Sequence, residues 1–154
     1  MAVVKILARH NPSYRSLINY ILKEQNEKPQ IITHNLHTND PILTAREFLE
    51  NESYRSTTRS DQVFLYHEII SFSNQDSQKI HPEMLEDLGR KYIEFRGNEG
   101  VFFGAVHNDR DHIHLHFCVS GTKLYTGKAM RLSKENLKEL KINFENYQKQ
   151  KYPE

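Results

Sequence analysis

Between His107 and Phe117 the chain reads His-Asn-Asp-Arg-Asp-His-Ile-His-Leu-His-Phe, which puts four imidazoles and two carboxylates into eleven residues. Side chains alternate along a β-strand, so His112, His114 and His116 share one face while Ile113, Leu115 and Phe117 fill the other. Solubility alone would be met by Thr, Lys or Glu, and three successive imidazoles point instead to a metal ion. Two imidazoles at a two-residue spacing can converge on one ion, and His107 can supply a third ligand from across a hairpin. We therefore expect His107, His112 and His114 as ligands, with coordination positions left for water and substrate, the pattern of a catalytic site. For His116 a supporting hydrogen bond to a ligand, a phosphate contact and a plain strand position stay open. Asp109 and Asp111 can accept the distal N–H of a ligand imidazole or ligate directly, and they also suit a turn. A histidine shell disfavours calcium and permits manganese, zinc, nickel or cobalt, whereas magnesium prefers oxygen ligands that a substrate phosphate can complete.

The strands that carry this cluster are expected at Val101 to Val106 and Ile113 to Val119, joined by the polar turn from His107 to Asp111. Gln62 to Ser73 is dense in β-branched and aromatic residues and reads as a central strand, with Ala2 to Ala8 and Gln30 to Leu36 as further strands. Apolar residues at helical spacing predict helices over Tyr14 to Glu24, Pro41 to Tyr54 and Pro82 to Phe95. A last helix carries Leu137, Leu140, Phe144 and Tyr147. Asp40 and Ser133 stand as caps, and Pro82 fits a first turn. The fold expected is an α/β (α+β) sandwich: a largely antiparallel sheet of about five strands with helices mainly on one face.

A chain of 154 residues suits one domain spanning 1–154, and 37% hydrophobic with 27% charged residues fits a globular protein. The single Cys118 excludes an internal disulfide framework and a thiolate-rich zinc site, and with no apolar leader or membrane-length segment the expected compartment is the cytoplasm. A net charge of +1 excludes a strongly basic polyanion binder, yet Lys123 to Lys151 holds eight Lys or Arg against three Glu. Lys123, Lys128 and Arg131 are candidate phosphate contacts, and Tyr125 is a candidate stacking surface for a base.

The run His107-x-Asp109-x-x-His112-x-His114 resembles the metal motif of conjugative and mobilisation relaxases, in the His-hydrophobic-His nuclease superfamily. Three other segments share the likeness: Leu17-Ile-Asn-Tyr20-Ile21, Tyr66 to Ser73, and Thr126-Gly127-Lys128 before a helix. The resemblance implies that Tyr20 attacks a phosphodiester of single-stranded DNA at a transfer origin, leaving a 5′-phosphotyrosyl link and a 3′-hydroxyl. It further implies a divalent ion, manganese or magnesium first and zinc or nickel as alternatives, and accessory mobilisation proteins as partners. A free tyrosine hydroxyl, with a pKa of about 10, needs such an ion or a base, and Asp109, Asp111 and His67 are candidates for that help. Tyr14 is the substitute nucleophile. Some relatives carry Asn where Ser120 stands here. Three rivals share parts of the pattern: a replication initiator or transposase using Tyr147 or Tyr152, a metal-dependent hydrolase of another substrate, and a DNA-binding homologue without activity.

Overall fold

The computed structural model describes residues 2–23, 29–57, 59–109 and 112–153. Five strands, β1 (Ala2–Arg9), β2 (Ile31–His34), β3 (Leu65–Phe72), β4 (Phe102–Asp109) and β5 (His112–Ser120), form one sheet in the order β1-β3-β5-β4-β2, and each neighbouring pair is antiparallel. The helices are α1 (Tyr14–Lys23), α2 (Pro41–Glu52), a short α3 (Asn74–Ser77), α4 (Pro82–Gly97) and α5 (Lys134–Lys151). Asp40 caps α2 by accepting from the amides of Ile42 and Leu43, and Ser133 caps α5 by accepting from Asn136. The expected turn is shorter than the sequence suggested, because β4 runs on through His107 and Asn108 to Asp109 and β5 begins at His112. Asp111 and the Glu24 end of the first expected helix lie outside the described residues.

The helices do not gather on one face. Leu115, Phe117 and Val119 of β5 face α4 and α5, packing with Leu88, Tyr92, Leu140 and Phe144. Cys118, Phe103, Ala105 and Leu65 face α1 and α2, packing with Tyr14, Leu17, Ile21 and Phe48. Strand alternation makes these opposite faces, so the molecule is a three-layer α/β/α arrangement. The physical reason is visible in β5, which is apolar on both faces from Phe117 to Val119 and must be covered twice.

Register sets the site. On the α1 face, Val3, Ser71, His114 and His107 stand in one row across β1, β3, β5 and β4. The next row is Lys5, Ile69, His116 and Ala105, and the third is Leu7, His67, Cys118 and Phe103. α1 covers the β4 and β5 end of these rows through buried Leu17, Ile18 and Ile21, leaving Val3 66% exposed and Leu7 42% exposed on β1.

Candidate active site

α1 is held down by its own apolar stripe and by α2, whose Phe48 stacks on Tyr14 at 5.2 Å between ring centres. Tyr20 sits on the side of α1 that looks along the sheet and is 46% exposed. Its ring stands 5.9 Å from that of His67, 6.2 Å from His116 and 6.4 Å from His107. Together with Val3, Lys5, Ile69, Ser71, Asn108 and His114, the residues Tyr20, His107 and His116 line one open pocket of about 430 Å³.

Each imidazole has a defined partner. His107 is buried and its Nε2 bonds the carbonyl oxygen of Ile21, one residue after Tyr20. A carbonyl only accepts, so Nε2 carries a proton, which leaves Nδ1 as the nitrogen that could face a metal. His67 Nε2 and His116 Nδ1 lie 2.9 Å apart, and Ser71 Oγ lies 3.1 Å from His114 Nδ1. Burial pulls the His67 pKa down to about 4, reinforced by the charges of Arg9 and Lys5 and by the neighbouring His107. Burial also pulls His116 down to about 3, with His107, His67 and His114 adding to the effect. Both rings are therefore neutral at physiological pH, the form that binds metal.

The structure groups the histidines differently from the expectation. The third imidazole of the pocket is that of His116, whereas His112 is exposed at the start of β5, its ring 6.4 Å from His114, and does not line the pocket. Asp109 ends β4 opposite His112. Tyr14 is buried, donates its hydroxyl to Phe64 O at 2.9 Å and to Glu52, and has its pKa pushed up by burial, which removes it as a substitute nucleophile. Tyr147 and Tyr152 both donate to the Asp87 carboxylate, and Tyr147 packs on the α4–α5 core across the sheet from the histidines.

The basic candidates lie elsewhere. Lys123, Tyr125, Lys128 and Arg131 follow Ser120, at the end of β5 about 20 Å along the strand from His114. Lys123 is paired with Glu99 at 3.0 Å, while Lys128 and Arg131 are exposed and Tyr125 stands 5.2 Å from Tyr54. Asn51 of α2 supplies an amide at buried Ser120, donating to its Oγ at 3.0 Å. The sequence reading missed Lys5, Ser71 and Asn108 as pocket residues; the strand registers that bring them in connect residues far apart in the chain.

The family model for the relaxase MobA/VirD2-like nuclease domain matches residues 20–151. The chain belongs to this relaxase family. Over 74 residues, 47% of the chain, the domain is 43% identical to the group II intron-interrupted relaxase LtrB of Lactococcus lactis subsp. cremoris (strain MG1363), and the match spans 13% of that relative's length. The fold is that of the MobM relaxase domain, solved with manganese and plasmid pMV158 oriT DNA: TM-score 0.73 and 15% identity, covering 99% of this chain and 87% of that one. A further likeness is to a structure described as the molecular basis of vancomycin resistance transfer in Staphylococcus aureus, with a TM-score of 0.64 and 14% identity over 97% of this relaxase domain and 91% of that chain.

Proposed function

We propose that this domain is a metal-dependent relaxase that nicks single-stranded DNA at a transfer origin, with Tyr20 as nucleophile and His107, His114 and His116 as metal ligands. The observation that carries the reading is the exposed Tyr20 ring beside the imidazoles of His107 and His116, in one pocket that His114 also lines. Among the described residues no three ligating groups already converge on one point. The donor set nevertheless fits. With metal–nitrogen bonds of about 2.1 Å, ring centres around a shared ion stand roughly 4.5–5.5 Å apart. The observed separations are 4.1 Å for His107–His116 and 6.1 Å for His114–His116, which bracket that range, and the side chains would rotate to share an ion.

The hydrogen bonds select the tautomers. If His116 Nδ1–H donates to His67 Nε2, and His114 Nδ1–H to Ser71 Oγ, both ligands present Nε2 to the pocket while His107 presents Nδ1. His67 and Ser71 are then positioning residues that fix ring orientation and raise ligand basicity. When bound, a divalent ion such as manganese, with magnesium, zinc and nickel as alternatives, neutralises charge on the scissile phosphate. Tyr20 Oη attacks phosphorus, the P–O3′ bond breaks, a 5′-phosphotyrosyl bond forms and the strand leaves with a 3′-hydroxyl. The phenolic proton passes to solvent on the exposed side of Tyr20, and the departing O3′ takes up a proton from solvent in the open pocket. The MobM structure motivates oriT DNA and manganese; a single strand as substrate, accessory mobilisation proteins as partners and a cytoplasmic setting belong to the same proposal. No helix among the described residues is long and apolar enough to cross a membrane. Lys128, Arg131 and Tyr125 would meet the strand at a distance from the nick.

Two measurements test this reading. Manganese should raise the melting temperature of the wild type and of His112→Ala, and not that of His114→Ala/His116→Ala. A single-stranded oligonucleotide carrying the cognate origin should form a denaturation-resistant adduct with wild type and none with Tyr20→Phe. An adduct retained by Tyr20→Phe sinks the assignment.

A further inference from the structure

The rows of the sheet do not stop at the histidines. On the same face, edge strand β1 presents Val3, Lys5, Leu7 and Arg9 in succession, apolar alternating with basic. Val3 and Lys5 line the pocket with Tyr20, and the Lys5 Cα is two strands, about 10 Å, from that of His116. Val3 and Leu7 are large apolar side chains left 66% and 42% exposed beside a polar pocket. β1 holds no carboxylate, and its neighbour β3 contributes Leu65, His67, Ile69 and Ser71 to this face. Glu68 points to the other face, where Arg96 neutralises it at 2.9 Å. Among the described residues neither Lys5 nor Arg9 has an ion-pair partner; Arg9 makes a 3.4 Å hydrogen bond to the Ser13 hydroxyl.

We propose that this face of β1 is the track on which the DNA strand lies beside the scissile phosphate, with Lys5 and Arg9 on phosphates and Val3 and Leu7 against sugars and bases. The inference rests on the nicking reading of the Tyr20 pocket and extends it to the substrate's path. Charge complementarity and continuity with the pocket carry it. Lys5 and Arg9 are about 13 Å apart along the strand, far enough to meet different phosphates. Such contacts act on every sequence alike and set orientation rather than base choice.

The test is anisotropy of fluorescein-labelled oligothymidylate over a salt series in EDTA, where no nicking competes. Each phosphate contact to a single strand contributes about 0.7 to the slope of log K against log salt. Lys5→Gln should lower the slope by about 0.7 and weaken binding about five-fold at about 0.1 M salt. Lys5→Gln/Arg9→Gln should lower it by about 1.4, and Leu7→Lys, which adds a cation to the row, should raise it by about 0.7. Unchanged slopes in all three variants, or a wild type that binds no oligonucleotide at low salt, overturn the track. The origin adduct separates the two ideas: an adduct with unchanged slopes removes the track alone, and shifted slopes with no adduct keep the track and remove the nicking reading.

Discussion

His116 shows how one residue's surroundings decide its chemistry. An exposed imidazole is half protonated near pH 6.5, but this ring is buried between His107 and His67 and stays neutral until about pH 3. The unfolded chain would take up protons that the folded chain refuses, so the stability contributed by His116 and His67 is complete above about pH 6.5. It is lost as pH falls through the window down to about 4 for His67 and about 3 for His116. Urea unfolding of the metal-free protein should therefore show a midpoint that drops across this window, and a flatter profile in His67→Gln/His116→Gln. An equally steep drop in the double variant would mean that other groups carry the acid sensitivity. Part of this was legible: the histidines, their alternation and the tyrosine upstream carried the resemblance to the family whose model the chain matches. Which of the four histidines line one pocket with Tyr20 was not, because that depends on α1 closing over the His116 end of β5 while His112 stays at the open end.

At the level of elements, the sheet tolerates little change where α1 and α4 press on it from both sides. Gly104 of β4 opposes Phe117, and a Cβ there would come within 2.4 Å of the Phe117 ring. That ring cannot swing away, being stacked on Tyr92 at 5.6 Å and edge-on to Phe102 at 5.8 Å. Gly104→Ala should cost about 1–3 kcal/mol by overpacking, read from chemical denaturation; a neutral result would show that β4 can shift. Strand and helix identities followed from periodicity, with ends displaced by a few residues. Short α3 was missed although Ser73 and Asp76 form a capping pattern, the Ser73 hydroxyl accepting from the Asp76 amide. The sequence reading placed the helices mainly on one face, whereas β5, apolar on both faces from Phe117 to Val119, needs two layers.

Across the whole molecule, the two cores have different tasks. The α4–α5 side holds a buried network in which Arg96 bonds both Glu68 oxygens and Tyr92 donates to Glu68 at 2.5 Å. Arg96→Ala would leave a carboxylate in an apolar layer and should cost about 3–5 kcal/mol, while Arg96→Ala/Glu68→Leu should recover much of it. Thermal unfolding of the pair checks this, and equal losses would show that packing, not charge, is at stake. The α1–α2 side carries the Tyr20 pocket, and there the His107–Ile21 bond ties an imidazole to the backbone of the helix that bears Tyr20. Fixing that ring therefore fixes the helix. Manganese should slow amide hydrogen exchange in α1 more than in α4, and His107→Ala should leave α1 exchanging quickly with or without the ion. The nucleophile would then be least mobile when the metal needed to use it is already in place.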